Sequence, residues 1–279
     1  MSELRRQMIE SMQLHGLAPS TQVTYVRCVR NLAKYYMRSP DKLGEPEIRR
    51  FFLHLLNERK LSEGSFRTHR FAVQFFYEIT LGRKIPMLQH IHPRKRRKLP
   101  VILAPEEVAD IINRVRNAPA KACLWTIYSC GLRRCEAVAL KAEDIDSRRM
   151  VLRVRKGKGG KDRYVPLPQR TLVMLRRYWA AYRPEGRLFP VRGGRAMCPR
   201  YLGRIFKAAL GQSGVRKDAT LHTLRHSYAT HLLENQVNLR TIQEVLGHAS
   251  PRTTALYTQV TDKSLSEMRV AFDSLLARL

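Results

Sequence analysis

A chain of 279 residues with 44% hydrophobic content is long enough for two folded cores, and this apolar content excludes disorder as the source of its charge. It carries 52 Lys+Arg against 23 Asp+Glu, a formal net charge of +29. The balance is 20 against 8 up to Lys98 and 32 against 15 beyond it. Both halves being basic excludes a single cationic tail and points to nucleic acid, whose phosphates release counterions as lysine and arginine approach. No apolar run has the length of a membrane span or the form of a secretion signal, and no basic amphipathic stretch argues for a lipid surface. The expected compartment is the cytoplasm. Five cysteines (28, 123, 130, 135 and 198) without CxxC spacing read as reduced, buried thiols.

Residues 1–85 read as helices only. Ser20-Thr21 is placed to cap a helix with Val23, Val26, Val29, Leu32 and Tyr36 on one face. Pro46 suits the first turn of a second helix carrying Ile48, Phe51, Phe52, Leu55 and Leu56. Ser62 or Ser65 opens a third with Phe66, Val73, Phe76 and Tyr77, and Gly82 ends it. Residues 86–99 form a linker. There, prolines flank Arg94, Lys95, Arg96, Arg97 and Lys98, a run suited to lying along a phosphate backbone.

Residues 100–279 form a second domain. Pro105-Glu106-Glu107 starts a helix with acids at its positive end, and a further helix, about 119 to 130, stops at Gly131. Residues 150–155 and 163–167 are extended around the glycine-rich, basic stretch Lys156–Asp162, which predicts a hairpin with a cationic tip. Helices follow at roughly 169–182, 199–210, 223–235, 239–246, 251–257 and 263–277. The expected fold is mainly α with a small β-sheet.

The chemistry-bearing residues are scattered along this second domain. Arg133 follows the Gly131 stop, and Glu136 is spaced to share its helical face and orient its fork. Lys156, Lys158 and Lys161 sit on the hairpin tip, where a lysine can donate a proton to a leaving hydroxyl. His222 and Arg225 share a helix face at i, i+3. His222 and His226 have the i, i+4 spacing of metal ligands. The glutamate of HExxH and any carboxylate cluster are missing, however, so no metal is expected. His248 and Tyr257 complete the set. A tyrosine surrounded by cationic donors suits a phosphodiester, whose cleavage spreads negative charge over oxygens that those donors hold.

Gly131-Leu132-Arg133 with Glu136, Lys156-Gly157-Lys158 through Arg163-Tyr164-Val165-Pro166-Leu167, the run Leu221–Leu233 containing His222 and Arg225, and Leu246-Gly247-His248 followed by Tyr257 stand in this order. The set resembles the tyrosine recombinases, the phage integrase-like and Xer-like site-specific recombinases. That resemblance spans nearly the whole chain, with a helical core-binding domain ahead of the catalytic domain.

The resemblance implies that Tyr257 is the nucleophile on the scissile phosphate, with Arg133 and Arg225 on its non-bridging oxygens. His222 and His248 would hydrogen-bond the phosphate and move protons. Lys158, preferred over Lys156 and Lys161, would protonate the 5′-oxygen, and Glu136 would support the arginines. It further implies double-stranded DNA as partner, a nucleoid-associated location, and a homo-tetramer on DNA joined through the C-terminal helix. The expected chemistry is cleavage and rejoining through a 3′-phosphotyrosyl link, with no metal, ATP or other cofactor. Packing of the C-terminal helix within its own chain is the alternative to exchange. The rival functions are a type IB-like DNA topoisomerase, a non-catalytic DNA-binding regulator on the same fold, and a metal-dependent phosphodiesterase. The short interval between Lys158 and His222 lacks room for the insertion that integron integrases carry, which favours a transposon-, phage- or Xer-type enzyme.

Overall fold

The computed structural model describes residues 2–91, 100–155, 162–191, 193–247 and 262–277. The chain divides into two compact units, Met1–Lys98 and Leu99–Leu279.

The first unit is helical throughout. It contains α1 (Glu3–Leu14), α2 (Pro19–Tyr36), α3 (Glu45–Asn57), α4 (Glu63–Phe75) and the short α5 (Met87–His90). Its core gathers Met12, Leu32, Ile48, Phe51, Phe66 and Tyr77 from different helices. Helix α1 has no counterpart among the expected elements, because only Met8 and Met12 are fully buried and Leu14, at its end, is exposed. In α2 the cap lies earlier than Ser20-Thr21. Pro19 takes the first helical position with its fixed φ, Ala18 is the N-cap, and Ser20 falls inside the helix. Val23, expected on the buried face, is 70% exposed. Of the two candidate caps for α4, Ser62 is the one observed, its hydroxyl accepting the Ser65 N–H at 3.3 Å. The helix then widens into a π-turn at Phe76–Thr80 before Gly82, which takes φ +65°.

The second unit is mostly helical around one small sheet. Helices α6 (Pro105–Asn113), α7 (Ala118–Ser129) and α8 (Arg134–Ala139) precede strands β1 (Ile145–Asp146), β2 (Val151–Val154) and β3 (Arg163–Pro166). The strands pair antiparallel in the order β1-β2-β3, with Val154 opposite Arg163 and Leu152 opposite Val165. Then come α9 (Gln169–Tyr182), α10 (Pro199–Gln212), α11 (Leu221–Glu234), α12 (Leu239–Leu246) and α13 (Asp262–Leu276). The fold is therefore mainly α with a small sheet. Helix α7 is buried on every side, with Ala120, Cys123, Leu124, Ile127 and Tyr128 all at 0% exposure. It is the axis on which α9 and α11 pack.

Helix α13 packs within its own chain. Met268, Phe272 and Leu276 are buried, and the Phe272 ring meets Tyr128 and Tyr228 at 5.4 and 4.7 Å between centroids. Val270, by contrast, is 59% exposed. The Asp273 carboxylate accepts the N–H groups of Gln169 and Arg170 at the start of α9, and Arg170 Nη1 donates to the Leu276 carbonyl at 2.6 Å. Each helix end thus covers the other's unpaired backbone groups. Three cysteines, 28, 123 and 130, are buried as expected. Cys135 and Cys198 are exposed, because each lies at a helix start on the surface instead of on an inward face.

Candidate active site

The site is built on glycines. Gly131 ends α7 with φ +59°, and a Cβ there would lie 2.5 Å from the Tyr228 ring and 2.9 Å from the Leu246 side chain. Both the left-handed backbone and the close approach of α11 and α12 demand glycine. The turn delivers Arg133 to the N-cap of α8. Glu136, one turn into that helix, accepts the Arg133 backbone N–H and its Nη1, both at 2.8 Å. One carboxylate therefore caps the helix and orients the guanidinium.

Arg163 reaches the same carboxylate from the sheet. Its Nη1 and Nη2 donate to Glu136 Oε1 and Oε2, each at 2.8 Å, and its Nε donates to the Val245 carbonyl at 2.8 Å. Arg225 comes from the first half of α11. Its Nη1 donates to the Gly131 carbonyl at 2.6 Å and lies 4.0 Å from Glu136 Oε2, while Nη2 donates to the Leu246 carbonyl. Arg133 Nη2 donates to the Gly247 carbonyl at 2.8 Å. The last two carbonyls of α12 (245 and 246) and that of the following Gly247 are thus each held by a different guanidinium. Gly247, with φ +62°, leaves room for the Arg163 side chain, which a Cβ there would approach to 3.2 Å.

Three guanidiniums around one carboxylate leave an excess of two positive charges in a largely dry site. Burial opposes ionisation of Glu136, but hydrogen bonds and charge from Arg163, then Arg133, hold its carboxyl at about 2. Burial also depresses Arg225, to about 10, with repulsion from Arg133 adding to it, so Arg225 stays protonated at neutral pH. Its side chain is only 3% exposed, whereas that of Arg133 is 23% exposed. A positive cluster that is partly desolvated and fixed in advance is suited to an anion whose charge grows during reaction.

Beside the cluster lies a cavity of about 610 Å³. Arg133, Arg134, Cys135, Lys207 and His222 line it, together with the apolar side chains of Phe206 and Leu221. His222 is thus brought to the same space as Arg133. The ring of His226 meets that of His222 at 4.4 Å between centroids, and partial burial followed by the charge of Arg225 lowers its pKa. His231 is a packing residue, accepting or donating one hydrogen bond with the Tyr128 hydroxyl at 2.9 Å. Among the described residues no group of three or more His, Cys, Asp or Glu side chains is placed to hold a metal ion.

Of the candidate site residues, Arg133, Glu136 and Arg225 come together, and His222 faces the adjoining cavity. Lys156, Lys158, Lys161, His248, Tyr257 and the linker residues Arg94, Lys95, Arg96, Arg97 and Lys98 lie outside the described residues. Strand β3 brings Arg163 to the cluster, and α12 ends against it two residues before His248. Arg163 was not among the expected site residues. Its signal was the period-two alternation of β3, in which exposed Tyr164 stands between it and buried Val165, so an arginine there faces inward and needs a carboxylate.

The model of the phage integrase family matches residues 102–264, and that of the phage integrase N-terminal SAM-like domain matches residues 4–87. The chain is 41% identical over 277 residues to y4qK of Sinorhizobium fredii, assigned as an integrase/recombinase, covering 99% of this chain and 90% of that one. It is 33% identical over 274 residues to the tyrosine recombinase XerD of Oceanobacillus iheyensis, covering 91% and 92%. Of solved structures, XerA recombinase superposes over 96% and 97% of the two chains with a TM-score of 0.50 and 27% identity. The Tn1549 transposon integrase in complex with circular intermediate DNA shares the fold, with a TM-score of 0.70 over 95% and 98% at 18% identity. Among the described residues no helix is long and apolar enough to cross a membrane. The chain belongs to the phage integrase family, the tyrosine recombinases, enzymes that cut and rejoin DNA strands.

Proposed function

We propose that this recombinase exchanges strands at specific sites in double-stranded DNA through a 3′-phosphotyrosyl intermediate, without metal or ATP. The observation that carries this reading is the excess of two positive charges around Glu136, with Arg133 turned to a cavity that His222 also lines. The Tyr257 hydroxyl attacks the scissile phosphorus, and its proton passes to His222 or His248. The bond from phosphorus to the 5′-oxygen breaks, and Lys158 supplies the proton to that leaving oxygen. Arg133 and Arg225 hold the non-bridging oxygens while charge builds on them. The phosphotyrosine retains the energy of the broken ester, and the 5′-hydroxyl of another strand displaces Tyr257 to complete the exchange. A phenol with an ordinary pKa near 10 needs such cations to attack at neutral pH, and they also take the place of a metal.

Three further elements belong to this reading. The helical domain (residues 1–85) and the catalytic domain (100–279) both contact duplex DNA, and linker residues Arg94 to Lys98, with Lys156 and Lys161, lie against its phosphates. Four copies assemble on DNA through the C-terminal helix, which in the single chain lies on its own domain and would be exchanged with a neighbour on assembly. Binding of DNA places the protein at the nucleoid. The deciding experiment uses a nicked suicide substrate carrying the native site. The expected result is an EDTA-resistant covalent adduct with the wild-type chain and none with Tyr257→Phe, which still binds DNA. Wild-type levels of adduct from Tyr257→Phe would overturn the mechanism.

A further inference from the structure

We infer that Arg163 is a positioning residue for strand cleavage, setting the three elements that carry the reacting groups in a single register. This rests on the strand-exchange reading above. Arg163 stands at the first position of β3, two residues after the segment 156–161 that contains Lys156, Lys158 and Lys161 in the sequence. Two of its N–H groups hold both oxygens of Glu136, which in turn holds the side chain and backbone of Arg133 on α8. A third holds the Val245 carbonyl in the last turn of α12, the helix that leads to His248 and Tyr257. No other side chain among the described residues bonds both Glu136 and the end of α12 from the sheet.

The geometry separates Arg163 from the two arginines assigned to the phosphate. Its three bonded N–H groups all go to protein oxygens at 2.8 Å, and its side chain is 14% exposed against 23% for Arg133. Its fork is committed to Glu136 in the bidentate arrangement that only a planar guanidinium makes. The charge of Arg163 also matters. Without it, Glu136 would face Arg133 and Arg225 alone, and its oxygens would be free to draw the Arg133 fork further from the cavity. The positive φ at Gly247 and the 3.2 Å that a Cβ there would leave to Arg163 show that the end of α12 is shaped around this side chain. Lysine at this position keeps the charge but lacks the planar fork that meets both Glu136 oxygens and the Val245 carbonyl together.

The test compares wild type, Arg163→Lys and Arg163→Ala on the nicked suicide substrate at saturating DNA, below the melting temperature of each. Site affinity is measured in parallel. The expected result is little change in affinity and a fall in the cleavage rate of about a hundredfold for both variants, the loss produced by misplacement near one ångström. Free guanidinium added to Arg163→Ala restores part of that rate, because the space beside Glu136 accepts it. Cleavage by both variants at the wild-type rate would overturn the inference while leaving the strand-exchange reading intact. Affinity and thermal stability falling together with cleavage, with no response to guanidinium, would also overturn it, since that is the signature of a general folding role. Absence of a Tyr257-dependent adduct with wild type would instead sink the underlying reading, and this inference with it.

Discussion

Glu136 decides the electrostatics of the site, and its ionisation has a measurable signature. Its carboxyl is held at about 2 against an ordinary 4.5, so its contribution to stability is present above pH 4.5 and is lost as pH falls from there toward 2. That contribution is on the order of 3 kcal/mol by the linkage between pKa and free energy. Glu136→Gln is therefore expected to lower unfolding free energy at pH 7 far more than at pH 3, measured by denaturant titration at both. A difference that does not change with pH would show that the carboxylate is not held by the arginines. Gly131 makes a second prediction. Gly131→Ala adds the ~1–2 kcal/mol of a left-handed backbone to the displacement of the Tyr228 ring. The variant is expected to unfold at clearly lower temperature by calorimetry and to cleave more slowly than its loss of stability explains, because the Gly131 carbonyl also holds Arg225.

At the scale of elements, α9 and α13 are coupled through Asp273. Asp273→Ala is expected to cost about 0.5–2 kcal/mol, the range for removal of an N-cap, and to raise hydrogen exchange in the first turn of α9 together with α13. Faster exchange in only one of the two helices would refute their coupling. Helices with a strong apolar period or a Gly or Pro boundary were legible in the sequence. Thus α9 and α12 have the expected bounds, and α7 and α11 differ by one or two residues. Helix α1 and the two-residue β1 were not legible. The first buries only two side chains, and the second is defined by pairing to β2, which no local pattern records. The site divides in the same way. Arg133, Glu136, His222 and Arg225 could be named from motif order, whereas the pairing of Arg163 with Glu136 joins residues 27 positions apart and needs the fold.

At the scale of the whole molecule, a net charge of +29 makes DNA binding strongly dependent on salt. Replacing Arg96 and Arg97 with alanine is expected to reduce the slope of log affinity against log salt by about 2, one for each phosphate that is no longer neutralised. An unchanged slope in fluorescence anisotropy titrations would remove the linker from the DNA interface. The apolar packing of α13 has a separate practical corollary. Met268, Phe272 and Leu276 plug a trough whose floor includes Tyr128 and Tyr228, so a chain terminated before Asp262 would leave that trough open to water and prone to aggregate. A synthetic peptide spanning 262–277, added during refolding, should restore such a truncated chain to a soluble, stoichiometric two-piece complex.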